Sequence, residues 1–222
     1  MDDGDLVARR ERMVRDHVEG RGVRDPAVLE AMRQVPREAF VNAALRYRAY
    51  DDTPLPIDDG QTISQPYIVA LMLEAAAIGP ADRVLEIGAG SGYASAIASL
   101  IAAQVIAIER HPGLAASAKE RLARLGYAKV EVHCADGSGG WPEGAPFDAI
   151  LVAASGPRVP PELREQLAVG GRLVMPVGHS SWHQRLVRIT RRGDGAFDDE
   201  ELCGVVFVPL VGAHGWPSDR ER

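Results

Sequence analysis

From Arg83 onward the chain alternates short apolar runs with stretches of helical spacing. R-V-L-E-I-G (Arg83–Gly88) ends in glycine and leads into a small-residue segment, 94–102, that reads as a helix. Q-V-I-A-I-E (Gln104–Glu109) is a second run, followed by a helical pattern over 112–125, and K-V-E-V-H-C (Lys129–Cys134) is a third. F-D-A-I-L-V-A-A (Phe147–Ala154), the helical P-P-E-L-R-E-Q-L (Pro160–Leu167) and G-R-L-V-M-P-V-G (Gly171–Gly178) continue the series. Strands alternating with helices at this pitch build right-handed βαβ crossovers, so the fold predicted is α/β, a doubly wound and mainly parallel sheet. Two later runs, R-L-V-R-I-T (Arg185–Thr190) and G-V-V-F-V-P-L (Gly204–Leu210), are joined through the polar R-R-G-D-G (Arg191–Gly195) and predict a terminal antiparallel strand pair.

The first third lacks this rhythm. It reads as a helix over 7–18, then Asp25-Pro26 as a cap with proline in the first turn of a second helix, which Pro36 stops. D-D-T-P-L-P-I-D-D-G (Asp51–Gly60) is too rich in Pro, Asp and Gly for a regular element and is predicted as a loop. No internal repeat or low-complexity linker interrupts the 222 residues, which form one domain: an N-terminal helical and loop extension, 1–60, and a core, 61–216.

Composition narrows the functional classes. With 46% apolar and 25% charged residues the chain can bury an ordinary globular core. A net charge of −6 and scattered arginines argue against a nucleic-acid grip, which needs clustered cations. No apolar run approaches the roughly 20 residues of a membrane span, and the acidic M-D-D-G-D-L start has no apolar secretory stretch. The two cysteines, Cys134 and Cys203, sit in apolar-alternating runs and read as free core thiols of a reducing compartment. A cytoplasmic protein is the expectation.

Candidate chemistry gathers at the end of the first long run. Gly88-Ala89-Gly90-Ser91-Gly92 follows a strand and opens a helix, and its glycines let the backbone turn sharply and let a ligand come close. A dinucleotide fingerprint would set its third glycine later. The early Gly92 suits a ligand without a pyrophosphate, whose amino-acid part lies against the loop. Glu109 closes the second strand about twenty residues on, where a carboxylate can take both hydroxyls of a ribose. Glu86 is a polar residue in an otherwise buried strand near the same crevice. Asp136, after the third strand, is placed to accept from an adenine amino group. A glycine loop can also be a simple turn, and Glu109 a surface partner of Arg110; strand, helix and spaced acid together favour an adenosine-type cofactor.

Ser64, in G-Q-T-I-S-Q-P-Y (Gly60–Tyr67), has two readings. It stands where a side chain could cap a helix over 67–77, because Pro66 suits a first turn, or where a hydroxyl could touch a substrate.

The run D-D-T-P-L-P-I-D-D-G-Q-T-I-S-Q-P-Y-I-V-A-L-M, with V-L-E-I-G-A-G-S-G-Y and I-E-R, resembles the protein-L-isoaspartate O-methyltransferases. So do D-G-S-G-G-W-P-E-G-A-P-F-D-A-I-L-V, Q-L-A-V-G-G-R-L-V-M-P-V-G and V-V-F-V-P-L, so that the likeness runs from about Met13 to Trp216. The resemblance implies a class I, Rossmann-like methyltransferase fold using S-adenosylmethionine, with the last two strands exchanged in the sheet. It implies methylation of the free carboxylate of L-isoaspartyl, and more slowly D-aspartyl, residues in damaged proteins, the ester then closing to a succinimide. Carried over by position, Ser64 matches the active-site serine, and Gly88, Gly90, Glu109, Asp136 and Gly137 match the cofactor contacts; on this reading Ile63, Ser64, Ser91, Gly92 and Arg110 complete the expected cofactor surface. The chain departs from the family pattern at Ala135, at Ala153 where a threonine is usual, at Ser155-Gly156 which lengthen that loop, and at the bulky H-S-S-W-H (His179–His183).

The implied reaction favours the substrate role for Ser64. A carboxylate is already a competent nucleophile at neutral pH, so no general base is needed, and a neutral hydroxyl can orient it without repelling it. Rival motifs fall away: D-G-S-G-G at Asp136 is no nucleophile elbow, and His179 with His183 has no third ligand, so no metal is expected. Trp141, Trp182 and Trp216 read as packing residues, Trp182 also as a wall of the substrate cleft. Two other uses of the scaffold stay open, a carboxylate methyltransferase serving one particular peptide and a cofactor-binding protein without turnover. The intact T-I-S-Q-P speaks against the second. The oligomeric state is left open.

Overall fold

Runs that are apolar at every position suit strands covered on both faces, and the sheet is built that way. The computed structural model describes residues 3–178 and 183–217. Helix α1 (Asp3–Arg12) passes into a π-helical turn (Met13–Val18), and α2 (Pro26–Gln34) follows a tight turn at Gly22. Asp25 caps α2 as predicted, its carboxylate accepting from the backbone of Ala27 at 2.8 Å and Val28 at 3.1 Å. The loop 51–60 is ordered by a small antiparallel pairing of β1 (Leu55–Pro56) with β2 (Thr62–Ile63), and α3 (Pro66–Ala75) comes next.

The core then unrolls as β3 (Arg83–Ile87), α4 (Tyr93–Ile101), β4 (Gln104–Glu109), α5 (Pro112–Arg124), β5 (Val130–Cys134), β6 (Phe147–Val152), α6 (Pro161–Glu165), β7 (Leu167–Val177), β8 (Gln184–Arg191) and β9 (Phe197–Val205). These make one seven-stranded sheet in the order β5-β4-β3-β6-β7-β8-β9, parallel from β5 to β7 and antiparallel beyond. β8, not the last strand, lies beside β7, the exchanged placement that the resemblance implies. The alternation of side chains divides each central strand between two cores. Val84, Val105, Ala149 and Leu151 pack with the N-terminal helices, α3 and α4; Leu85, Ile106, Ile150 and Met175 pack on the other face with Leu163 of α6. The strand order reverses between β3 and β6, and that switch point opens the crevice where ligands of doubly wound sheets bind.

The N-terminal extension is locked to this core through Arg37. Its side chain is fully buried, donates through Nε to the Ala49 carbonyl at 2.8 Å, and lies 4.9 Å from the ring centre of Tyr93, the first residue of α4. Burial lowers the Arg37 pKa and pushes the Tyr93 phenol up to about 12.

Two expectations are corrected. The last strand is the acidic stretch Phe197–Val205, not the apolar Gly204–Leu210. Its carboxylates pair across the ladder with the arginines of β8, Glu200 with Arg188 and Glu201 with Arg185, so charge complementarity outranks apolar pattern on an edge strand. The cysteines are free but not in the core: Cys134 is exposed at the end of edge strand β5, and Cys203 is half-buried on edge strand β9. Of the two readings of Ser64, the cap is the one that falls away. The helix begins at Pro66 with Gln65 as its capping position, and that side chain makes no cap bond.

Candidate functional site

The cap role of Ser64 is filled from elsewhere in the chain. Asp52 accepts from the Gln65 amide at 2.8 Å, and its second oxygen lies 3.4 Å from the backbone N–H of Tyr67 in the first turn of α3. The Gln65 amide also donates to the Asp52 carbonyl at 3.0 Å. This clamp fixes T-I-S-Q-P from outside and leaves the Ser64 hydroxyl with no hydrogen-bond partner among the described residues. Ser64 is half-buried and lines a cleft of about 1180 Å³ together with Ile63, the glycine loop and the carboxylates of β3 and β4.

The glycine loop has the geometry its composition requires. Gly88, Gly90 and Gly92 stand at φ 86°, 53° and 85°, a region that side chains with a Cβ rarely adopt. Gly92, expected on the cofactor surface, is instead the N-cap of α4 and faces Leu122 and Ala118 of α5, off the cleft wall, while Ser91 is held by its carbonyl, which accepts from Arg121 of α5 at 2.8 Å. Gly137 is needed for another reason: a Cβ there would come within 2.8 Å of Ile87 and 3.2 Å of Ile108, where the chain crosses the ends of β3 and β4.

Glu109 is buried, which removes its reading as a surface partner of Arg110. One oxygen accepts from Gly90 N and the other from His111 N, both at 2.9 Å, so the carboxylate ties the glycine loop to the end of β4. A carboxylate offers about four acceptor sites, and two remain for ligand hydroxyls. Glu86 points to the α4 face of the sheet, where the Ser95 hydroxyl donates to it. Burial pushes its carboxyl up to about 8, opposed by the Ser95 bond and reinforced by the charge of Glu109. A buried acid with no cation beside it among the described residues, on the wall of a cleft, suits a ligand ammonium. Arg110 is exposed and lines both the cleft and a smaller recess beside it.

Asp136 has a different setting from the one expected. Its oxygens accept from Ser138 N at 2.8 Å and Ala213 N at 2.9 Å, pinning the C-terminal segment across the end of the sheet. Partial burial raises its carboxyl, but these backbone donors outweigh that and hold it below its ordinary value. It borders the smaller recess with Arg110, while Gly137 takes the place on the main cleft wall.

Sequence reasoning missed the other wall. Val206–Leu210, expected as strand, leaves the sheet and lines the cleft instead, tied to the departing loop by Ser155 N to Val208 O and Leu210 N to Ser155 O, each 2.8 Å. Pro209 was the available signal, since proline has no N–H to give to a ladder. Trp216 donates to the Ser155 carbonyl at 2.9 Å, and Trp141 stacks on His133 at 4.5 Å; both are packing residues. His179 and Trp182 lie outside the described residues. Among the described residues no group of three His, Cys, Asp or Glu could hold a metal, and no helix is long and apolar enough to cross a membrane.

A sequence profile of the protein-L-isoaspartate(D-aspartate) O-methyltransferase family matches residues 8–215. The chain belongs to this family. It is 61% identical over 208 residues to protein-L-isoaspartate O-methyltransferase 2 of Pelobacter propionicus, covering 94% of this chain and 92% of that one. It is 58% identical to protein-L-isoaspartate O-methyltransferase 1 of Rhodopseudomonas palustris, covering 96% and 87%. A Plasmodium falciparum protein described as a protein-L-isoaspartate O-methyltransferase, solved in complex with S-adenosyl-L-homocysteine, superposes with a TM-score of 0.78 at 27% identity, covering 91% of this chain and 98% of that one. The chain has the class I methyltransferase fold.

Proposed function

We propose that the protein transfers a methyl group from S-adenosylmethionine to the free carboxylate of L-isoaspartyl, and more slowly D-aspartyl, residues in damaged proteins. The observation that carries the reading is the Ser64 hydroxyl, held in the cleft by a clamp that makes no use of it. The cofactor supplies an electrophilic methyl on a sulfonium. Gly88 and Gly90 receive its amino-acid part, Glu86 its ammonium and Glu109 its ribose, with Ile63, Ser91, Arg110 and Gly137 around them. Ser64 donates to the substrate carboxylate and orients it, and no residue has to take a proton. Val206–Leu210 and the loop before Ser64 flank the reacting groups and limit water there.

The methyl ester then closes to a succinimide without further help from the protein. The partners on this reading are isoaspartyl peptides and proteins, not nucleic acid or membrane. Two free thiols suit action in the cytoplasm. The test is base-labile methyl ester formed on an isoaspartyl peptide and on its normal aspartyl counterpart. Labelling of the first alone is expected; equal labelling, or none while cofactor binds, would defeat the reading.

A further inference from the structure

Arg21 closes the short helical turn Glu19–Arg21 just before Gly22, which stands at φ 108°. Its guanidinium is held from two sides. The central carbon lies 3.7 Å from the ring centre of Tyr67, and Nη1 donates to Asp52 at 2.8 Å. Asp52 is the same carboxylate that clamps Gln65, and its side chain is 15% exposed against 45% for Arg21. No other described residue accepts from the remaining N–H groups of Arg21, and none of its nitrogens is both buried and unpartnered. The free edge of a guanidinium is a planar fork that matches a carboxylate.

The cleft divides its charges. Glu86 and Glu109 stand by the glycine loop with Arg110 beside them, whereas Arg21 lines the cleft with Ser64 and Tyr67. A cation fixed by stacking and by an ion pair, with one edge open, is preorganised for an anion. That anion is not the reacting carboxylate. A bidentate guanidinium would hold the oxygen lone pairs that must attack, and Ser64 already offers that group a weaker, neutral donor. The site therefore fits a second carboxylate on the same peptide.

We propose that Arg21 is a specificity-determining residue that receives a second carboxylate of the isoaspartyl peptide, an acidic side chain flanking the damaged residue or the peptide's own C-terminus. The inference rests on the isoaspartyl reading above. Three isoaspartyl peptides test it: one with a flanking Glu and an amidated C-terminus, one with Gln in its place and the same amide, and one with Gln and a free C-terminus. The wild-type protein methylates one of the two carboxylate-bearing peptides with a kcat/KM about fivefold above the neutral one, the size of a half-exposed ion pair, and which of the two it is identifies the source. Arg21→Gln brings that ratio close to one, and Arg21→Lys restores part of it, with melting temperatures recorded for both variants. Equal wild-type efficiency on all three peptides overturns the inference alone, as does a ratio that survives in Arg21→Gln whatever its absolute rate. Methylation of none of them brings down the isoaspartyl reading and this inference with it.

Discussion

Asp52 accepts a hydrogen bond from the Gln65 amide at 2.8 Å although the two stand 13 residues apart, and through that bond it holds the segment bearing Ser64. The same carboxylate pairs with Arg21 and reaches the first turn of α3. Helix cap, ion-pair partner and loop clamp are thus one residue. Asp52→Ala is expected to cost about 1–2 kcal/mol of stability, as loss of a cap and a charged hydrogen-bond partner does. It should also raise KM for an isoaspartyl peptide while cofactor affinity stays near normal. Thermal melts, calorimetry and methylation kinetics on the variant would check all three, and normal kinetics in a less stable protein would reduce Asp52 to a cap.

Ser64→Ala separates the hydroxyl from the scaffold. Because the hydroxyl caps nothing, stability should change by less than about 0.5 kcal/mol, the range of surface changes away from structural features. Turnover should fall at least about tenfold, equivalent to about 1.4 kcal/mol of barrier, with cofactor affinity intact. Melting temperature and initial rate measured on one preparation decide the matter, and an unchanged rate would remove Ser64 from the chemistry.

Glu109→Ala removes the acceptor of both Gly90 N and His111 N as well as the proposed ribose contact. Affinity for S-adenosylhomocysteine should weaken by about 1–3 kcal/mol. Calorimetric titration measures it, and an affinity equal to that of the wild type would leave Glu109 only its loop-tying role.

Glu86 should make cofactor binding depend on pH. Burial raises its carboxyl from 4.5 to about 8. An acid raised in the folded state stabilises the fold below its unfolded value, and that contribution is lost as pH rises, here between 4.5 and about 8. A ligand ammonium favours the ionised form, so binding below about pH 8 must expel a proton. Affinity for S-adenosylhomocysteine should climb by up to about tenfold per pH unit from about pH 6 and level off near about pH 8. Glu86→Gln should flatten the profile. Calorimetry in buffers of different ionisation enthalpy reads the proton directly, and a wild-type profile as flat as that of the variant would mean that Glu86 does not meet the ammonium.

The parallel core was legible because local patterns and tertiary packing agree there. Unbroken apolar runs with glycine at their ends need cover on both faces, and βαβ connections with short loops leave one way to provide it. The glycine loop was legible for the same reason, since three positive φ angles so close together, at Gly88, Gly90 and Gly92, strongly favour glycine. Glu109 could be placed by counting from that loop, but its burial could not, because burial depends on what the neighbouring strands and helices cover.

By itself, then, the sequence determined the order and type of the core elements, the cap at Asp25, the glycine loop and the acids beside it. What only the tertiary structure decided are relationships between distant segments. Asp52 displaces Ser64 as the cap of α3, the acids of β9 find the arginines of β8, and Val206–Leu210 turns from a strand into a cleft wall. Each turns on a partner far away in the chain, and hydrogen bonds and ion pairs of that kind leave no period in the sequence to be read.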